Sequence, residues 1–242
     1  MTHGYQTATA FYDHYWSFRA QRGDVVASNR VKLRHEQAAQ HVRRVFQRPT
    51  GVRVLDLGCG DGIMGQMLSP MGYCVTGVDV SPRALALAGA HYDSTAELDL
   101  DADAVPDQWR AAFDGVVCLE VLEHLERPQQ TVRRVLELCR PGGLAVFSFP
   151  NLFTWKNRVS FLRGRWPQGY TTYDPREHLQ VIELRTFREW VRDASFRVTD
   201  VQITPDLPSW RPLRWLMFRQ RRALARLGPS LWGVQILVTV EE

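Results

Sequence analysis

The 242-residue sequence lacks a long apolar segment and is poor in cysteine and lysine. It has no run of about 18 apolar residues, which argues against a membrane-spanning helix. No basic and apolar leader follows Met1, so we expect a cytoplasmic protein. The four cysteines are far apart, lie within apolar runs and form no C-x-x-C pair. This spacing argues against a disulfide framework or a zinc site.

Lysine is scarce because arginine supplies nearly all of the basic residues. Only Lys32 and Lys156 occur among 30 lysines and arginines, a bias typical of a GC-rich genome. The formal net charge of +4 is modest. No recognised nucleic-acid-binding motif accompanies it, so we expect no nucleic-acid partner.

Short apolar runs alternate with longer amphipathic runs through the middle of the chain, a pattern typical of a parallel α/β sheet. Strands are predicted at 52–57, 73–78, 95–100, 113–119, 144–149, 197–204 and 233–240. Helices are predicted within 1–50 and at 63–69, 82–90, 127–140 and 183–194. We expect one domain that consists of a helical cap at 1–50, a cofactor-binding core at 51–150 and substrate-cap insertions at 151–180 and 205–232.

Three glycines lie where a ligand could approach the backbone. Gly58, Gly60 and Gly62 follow the first predicted strand and open a helix, whose N-terminus offers unpaired N–H groups. Asp79 ends the second strand about 20 positions later, where a carboxylate can hydrogen-bond a ribose diol. The G-x-G-x-G spacing departs from the dinucleotide fingerprint and disfavours NAD. By itself, the turn is equally compatible with a purely structural βα connection.

Four segments, in chain order, resemble the motifs of class I S-adenosylmethionine-dependent methyltransferases. They are residues 54–62, 77–79, 113–124 and 140–143. The resemblance implies an α/β, Rossmann-like sheet of seven mostly parallel strands, with helices on both faces, an antiparallel last strand and helical caps. The turn at 120–124 resembles that of ubiquinone-pathway O-methyltransferases. Residues 148–151, 155–165 and 177–179 resemble a methionine-biosynthesis branch and related bacterial enzymes.

The resemblance implies S-adenosylmethionine as cofactor and S-adenosylhomocysteine as product. The glycine turn, with Asp56 behind it, would hold the methionine part, and Asp79 would bind the ribose hydroxyls. Asp99 would accept from the adenine amino group, although neighbouring acidic residues offer other registers and a solvated loop is an alternative. The predicted cofactor-binding set is Asp56, Gly58, Cys59, Gly60, Gly62, Asp79, Val80, Asp99, Leu100 and Leu119.

The predicted catalytic residues are His178, Glu120 and His124. An acceptor hydroxyl must lose its proton during methyl transfer, and a histidine suits that task at neutral pH. His178 could equally fix its loop by a hydrogen bond. The turn that contains Glu120, Glu123 and His124 follows the fourth strand, and in the resembling ubiquinone-pathway enzymes such a turn can hold a divalent metal. Mg²⁺ would be the candidate, but we assign no metal ligands and do not expect a metal.

Aromatic residues near both ends allow more than one interpretation. Phe11, Tyr12, Tyr15 and Trp16 either cover the cofactor, with a cation–π contact to its sulfonium, or pack on the core. Arg30 or Arg34 would pair with the cofactor carboxylate, or lie on the surface. The segment at 210–226 is compatible with a lid, an anionic-lipid surface, a dock for an acidic carrier protein, or an amphipathic helix that buries its aromatics at a dimer interface.

The sequence therefore predicts a methyltransferase that acts on a small-molecule acceptor, preferentially at oxygen. The Trp- and Arg-rich cap favours a lipophilic or carrier-bound acceptor, and weak contact with a membrane surface or carrier protein is compatible with it. We expect a monomer or a homodimer. The alternative is a cofactor-binding accessory protein that activates a partner enzyme without methyl transfer, because part of the methionine-biosynthesis branch is associated with a partner acyltransferase.

Overall fold

One seven-stranded sheet organises the chain in a computed structural model, which describes residues 7–23, 32–167, 178–205 and 211–242, the last range without the side chains of 211–214. The strand order is β3-β2-β1-β4-β5-β7-β6. The first five are parallel, and β7 is antiparallel to both neighbours. The strands are β1 (Arg53–Leu57), β2 (Cys74–Asp79), β3 (Ser94–Glu97), β4 (Phe113–Leu119), β5 (Cys139–Pro150), β6 (Arg197–Pro205) and β7 (Gly233–Glu241). The predicted fold class is confirmed.

Helices cover both faces of this sheet, since its pleat sends alternate apolar side chains to opposite sides. On one face, Val132 and Phe187 pack with Leu55 and Phe147. On the other face, Val42 packs against Val54 and its neighbours. The α-helices in the described residues are α1 (Ala8–Gln21), α2 (Leu33–Val45), α3 (Ile63–Leu68), α4 (Pro82–Ala88), α5 (Pro128–Leu136), α6 (Trp155–Leu162), α7 (Leu184–Asp193), α8 (Arg211–Arg219), α9 (Arg221–Leu227) and α10 (Pro229–Trp232).

The two N-terminal helices play different structural parts. Helix α2 buries Ala38 and Val42 in the core, whereas α1 has no buried residue. Helix α1 is held on the start of α4 by Asp13, whose Oδ1 accepts from the Arg83 backbone N–H at 3.1 Å and from the Ser81 hydroxyl. Ser81 also caps α4, as its sequence position before Pro82 predicts.

Three predicted element boundaries differ from the structure by three residues or more: the end of α5, the end of β3, and the start of β5, which lies at Cys139 rather than at 144. Helix α5 ends at Leu136 rather than at 140, because the chain turns to give the carbonyls of Glu137 and Leu138 to the Ala111 and Ala112 N–H groups. Strand β3 ends at Glu97 rather than at 100. The chain turns there because Asp99 Oδ1 accepts from the next backbone N–H groups, Asp101 at 2.9 Å and Ala102 at 3.3 Å.

Both insertions leave the sheet at the carboxyl ends of β5 and β6. The start of the first insertion is bonded to the end of the second, because the Asn151 side-chain amide donates to the carbonyls of Ser230 (2.8 Å) and Gly233 (2.6 Å). Within the described residues, no helix has both the length and the apolar character needed to span a bilayer. All four cysteines are free thiols. Cys59, Cys118 and Cys139 are buried, whereas Cys74, at the start of β2, is exposed rather than packed as a small apolar residue.

Candidate active site

A cavity of about 290 Å³ lies at the carboxyl ends of β1, β2 and β4, beneath α1. Ligands bind at this edge in open α/β sheets. The cavity volume is close to the lower limit for small-molecule sites, which is about 300 Å³. Three aromatic residues of α1 (Tyr12, Tyr15 and Trp16) line it. So does every predicted cofactor-binding residue except Gly62, namely Asp56, Gly58, Cys59, Gly60, Asp79, Val80, Asp99, Leu100 and Leu119.

The glycine turn after β1 leaves no room for side chains. A Cβ on Gly58 would lie 2.3 Å from Val121 Cγ2, and one on Gly60 would lie 2.8 Å from Trp16 Cζ2. Both glycines have positive φ, which also favours glycine. The structure does not bring Gly62 to the cavity: it precedes α3 and its Cα position is packed on Ala88. Its place is in the tight βα turn.

Asp79 fixes the shape of this turn from the end of β2. Its Oδ2 accepts from the Gly60 N–H at 2.9 Å, and its Oδ1 accepts from the Ser81 N–H at 3.0 Å. Burial raises the pKa of this carboxyl, whereas backbone hydrogen bonds from Ser81, Gly60 and Val80 lower it. Asp99 and Leu100 also line the cavity, and they follow β3, the strand that pairs with β2.

Asp56 is buried behind the turn and bonded to a tyrosine that the sequence did not single out. The Tyr92 hydroxyl donates to Asp56 Oδ2 at 2.5 Å. The Tyr92 ring lies against Gly65 and Gly77, where a Cβ would come within 2.7 and 3.0 Å of it. Burial raises the pKa of Asp56 to about 7, with a further increase from the charge of Asp79, although the Tyr92 hydrogen bond lowers it. The Asp56 carboxyl therefore gains or loses its proton near neutral pH.

Glu120 directly follows β4, and both of its carboxylate oxygens accept hydrogen bonds. Oε1 accepts from the Ser148 hydroxyl at 2.8 Å, and Oε2 accepts from Gln235 Nε2 at 2.9 Å. Its φ of 57° is unusual for a residue other than glycine. Glu120 lines the cavity and is bonded to the two strands next in the sheet, β5 and β7. These bonds orient the turn that follows β4.

That turn presents a buried carboxyl beside two imidazoles. Burial, followed by the negative charge of Glu120, raises the pKa of Glu123 well above its ordinary value, although Arg34 lowers it. His124 Nε2 lies 3.8 Å from Glu123 Oε1, and the ring centroids of His124 and His178 are 4.8 Å apart. The Glu123 carbonyl accepts from the N–H groups of Leu179 and Gln180, so the end of the insertion is anchored here.

The predicted catalytic histidines therefore meet, although only His124 is among the residues that line the cavity. The potential ligand atoms of Glu123, His124 and His178 all lie within 4.8 Å of one another. One carboxylate and two imidazoles suit a divalent transition-metal ion better than the Mg²⁺ considered from the sequence. Such an ion would supply a Lewis acid beside the cavity.

A guanidinium group is available for the cofactor's carboxylate. Arg34 lines the cavity, and its Nε and Nη1 atoms are buried without a hydrogen-bond partner among the described residues. Arg30, the alternative considered from the sequence, lies outside the described residues. Arg19 also lines the cavity, where its Nη1 donates to the Tyr15 hydroxyl at 2.6 Å. The sequence does not distinguish Arg30 from Arg34, because neither occurs in a motif, and it did not single out Arg19.

A family model described as "Methyltransferase domain" matches residues 30–201, which is more than half of the chain. The chain belongs to this methyltransferase family. It is 31% identical over 178 residues to a ubiquinone biosynthesis O-methyltransferase of Pseudomonas putida strain GB-1, and the match covers 69% of this chain and 75% of that relative. The protein is an S-adenosylmethionine-dependent methyltransferase, as predicted.

Two solved structures of methyltransferases share its fold. The magnesium protoporphyrin IX methyltransferase of Synechocystis, with bound S-adenosylhomocysteine, matches with a TM-score of 0.62 and 17% identity over 96% of both chains. The Burkholderia thailandensis 1,6-didemethyltoxoflavin-N1-methyltransferase, also with S-adenosylhomocysteine, gives a TM-score of 0.58 and 17% identity over 99% of this chain and 92% of that one. The cofactor of this methyltransferase is S-adenosylmethionine.

Proposed function

We propose that this methyltransferase transfers the methyl group to a hydroxyl oxygen of a small, lipophilic acceptor. The observation that carries the proposal is the His124–His178 pair, in which His124 lines the cavity and the His178 ring centroid lies 4.8 Å from that of His124. A hydroxyl acceptor has a proton to lose, and neighbouring imidazoles supply a base for it. The O-methyltransferase name of the Pseudomonas relative agrees with an oxygen acceptor.

In this proposal, the cofactor lies along the carboxyl edge of the sheet. Asp79 binds the ribose hydroxyls, and Val80, Asp99 and Leu100 surround the adenine. The backbone of 58–60 and Leu119 border the methionine part, with Asp56 behind it. Arg34 supports this placement as the partner of the cofactor's carboxylate, because its Nε and Nη1 atoms are buried and have no hydrogen-bond partner among the described residues.

Helix α1 closes this arrangement from the other side. Tyr12, Tyr15 and Trp16 border the cavity and exclude water from the reacting atoms. Their ring faces also attract a sulfonium cation. The protein's largest contribution is then to align the acceptor oxygen with the methyl carbon at about 3–3.5 Å.

The proposed reaction is an in-line displacement. The acceptor oxygen forms a bond to the methyl carbon while the carbon–sulfur bond breaks, and its electron pair remains on sulfur. The sulfonium becomes the neutral thioether of S-adenosylhomocysteine. The hydroxyl proton passes to the His124–His178 pair, with Glu120 and Glu123 shaping the turn that holds His124.

The test measures S-adenosylhomocysteine release with phenolic acceptors that carry alkyl chains of increasing length. We expect His178→Ala and His124→Ala to lower kcat on the order of a hundredfold or more. Calorimetric affinity for S-adenosylhomocysteine should change little. The control is His14→Ala, which alters an exposed histidine.

An unchanged rate in both variants would remove the histidines from the mechanism. Loss of activity with a chelator, restored by a divalent ion, would assign Glu123, His124 and His178 to a metal instead. Cofactor binding without S-adenosylhomocysteine release from any acceptor, together with a gain of activity in a partner enzyme, would favour the accessory role over catalysis.

A further inference from the structure

Two segments at the carboxyl edge of the sheet carry positive charge without any negative charge. Residues 207–240 contain six arginines and no aspartate or glutamate. Residues 151–173 contain Lys156 and three arginines, again with no acidic residue. The first segment contains the connection from β6 to β7, and the second follows β5, so both leave the sheet at the edge where the cavity lies.

Helices α8 and α9 expose large apolar side chains in the first of these segments. Trp215 is 60% exposed, Leu216 48%, Phe218 40% and Leu227 82%, whereas Ala225 is buried where α9 packs on β6. The sequence alone was compatible with a helix that buries its aromatics. The structure instead turns them outward, which makes this surface costly to leave in water.

Arginines accompany these exposed rings at close range. The Arg219 guanidinium lies 4.7 Å from the Trp215 ring centroid, and the Arg221 guanidinium lies 4.7 Å from the Phe218 ring centroid. Positive charge and exposed apolar surface are therefore next to each other on α8 and α9. This combination matches the boundary of a membrane, where anionic headgroups adjoin acyl chains.

The insertion after β5 repeats this combination. Leu162 is 88% exposed at the end of α6, and Trp166 is 55% exposed just beyond it. Phe161 and Trp166 contact each other edge to face, with ring centroids 5.8 Å apart. A second element at the same edge thus offers the same chemistry.

We propose that the α8–α9 surface, defined as Trp215, Leu216, Phe218, Arg219, Arg222 and Leu227, docks on an anionic phospholipid membrane. Clustered arginines are attracted to anionic headgroups, and the aromatic and leucine side chains enter the interface. A second copy of the chain fits this surface poorly, since a two-fold contact would place arginines against arginines.

Docking at this edge would bring the cavity toward a bilayer that dissolves lipophilic molecules. That consequence rests on the proposed function, whereas the docking itself does not. We therefore measure binding without cofactor or acceptor, so that a negative result leaves the proposed methyl transfer untouched.

The experiment sediments the full chain with phosphatidylcholine vesicles that contain phosphatidylglycerol, and with pure phosphatidylcholine vesicles. We expect binding to the anionic vesicles only, and weaker binding as salt is raised from about 0.1 M to about 1 M, because the screening length shortens from about 10 to about 3 Å. Equal binding to both vesicle types, or binding to neither, would overturn the proposal.

Two variants of the surface separate its charge from its apolar part. Arg219→Gln/Arg222→Gln should lower the partition coefficient roughly tenfold or more. Trp215→Ser/Phe218→Ser should also lower it and leave the thermal unfolding transition in place, since both rings are exposed. The matched control is Arg43→Gln/Arg44→Gln, which removes two exposed arginines from α2.

An equal loss of binding in the α2 control would overturn the assignment to the α8–α9 surface. So would a dimer, detected by light scattering, that Trp215→Ser/Phe218→Ser converts to a monomer, because the surface would then belong to a second copy. Salt-sensitive binding that ignores the loss of both rings would contradict insertion into the interface and favour an acidic protein partner.

Discussion

Asp56 connects the interior of the sheet with the proposed cofactor site. It shares a buried hydrogen bond with Tyr92 and lines the cavity. Because burial raises its pKa to about 7, the cofactor-free protein holds it largely protonated below neutral pH. A sulfonium or ammonium group nearby would favour the carboxylate instead.

We predict that affinity for S-adenosylmethionine increases as pH rises from about 6 to about 8, with a slope approaching tenfold per pH unit on the acidic side. The reason is that the cation binds the ionised form of Asp56, so binding releases a proton. Calorimetry in buffers with different ionisation enthalpies measures that proton. Asp56→Asn should lose both the slope and the proton release.

The raised pKa of Asp56 also determines whether the free energy of unfolding rises or falls with pH. The pKa of Asp56 is about 4 in the unfolded state and about 7 in the folded state. Between about pH 4 and about pH 7, the folded state therefore binds a proton that the unfolded state has lost. The wild-type free energy of unfolding should fall over this range and level off above about pH 7. Asp56→Asn should remove this contribution, although Asn can still accept from Tyr92. A pH-independent affinity in the wild type would contradict the role given to Asp56.

Sequence and structure agree best for residues whose positions depend on nearby backbone. Gly58, Gly60 and Asp79 could be predicted because a strand, a turn and the next strand fix their positions. Tyr92 could not, because nothing in the sequence indicates that Gly65 and Gly77 face one ring. The bond from Gln235 to Glu120 spans 115 positions and depends on the antiparallel placement of β7.

At the scale of elements, α1 shows why an aromatic stripe has two interpretations. The same helical spacing serves a helix packed on a core and a helix that covers a ligand. The structure leaves α1 without buried residues and places Tyr12, Tyr15 and Trp16 at the cavity. Only the tertiary position of the helix distinguishes the two cases.

We predict that Asp13→Ala weakens S-adenosylhomocysteine binding about fivefold to tenfold, mainly by faster dissociation. Asp13 accepts from Ser81 and from the Arg83 N–H, and a charged acceptor at a helix start contributes about 1 kcal/mol. Stopped-flow displacement measures the dissociation rate. The matched control is Gln21→Ala at the exposed end of α1.

Equal dissociation rates for Asp13→Ala and wild type would show that this contact does not hold α1 over the cavity. A further readout is limited proteolysis. Cleavage within α1 should accelerate in Asp13→Ala but not in Gln21→Ala, because only the first variant loses the contact with α4.

At the scale of the whole molecule, the strand order explains why distant segments meet. The chain crosses from β1 outward through β2 and β3, then returns to place β4 on the other side of β1. A crevice forms where the order reverses, at the carboxyl ends of the strands. The insertions after β5 and β6 leave the same edge, so the cofactor region and the basic, aromatic segments are neighbours.

This arrangement was predictable as a class but not in detail. Alternating apolar and amphipathic runs indicate a parallel α/β sheet, and the motifs resemble a known family. Individual boundaries depend on contacts that periodicity does not report, such as the Asp99 turn that ends β3. The meeting of His178 with His124 likewise depends on the anchoring of Leu179 and Gln180 to the Glu123 carbonyl.

The most direct test of the account is calorimetric titration of S-adenosylhomocysteine into wild type, Asp79→Asn and the exposed control Asp107→Asn. We predict that wild type and Asp107→Asn bind alike, and that Asp79→Asn binds roughly tenfold to a hundredfold more weakly while still unfolding cooperatively, because hydrogen bonds to the charged carboxylate are lost. Undiminished affinity in Asp79→Asn, or no heat in the wild type with either S-adenosylhomocysteine or S-adenosylmethionine, would contradict the assignment of this cavity to the cofactor.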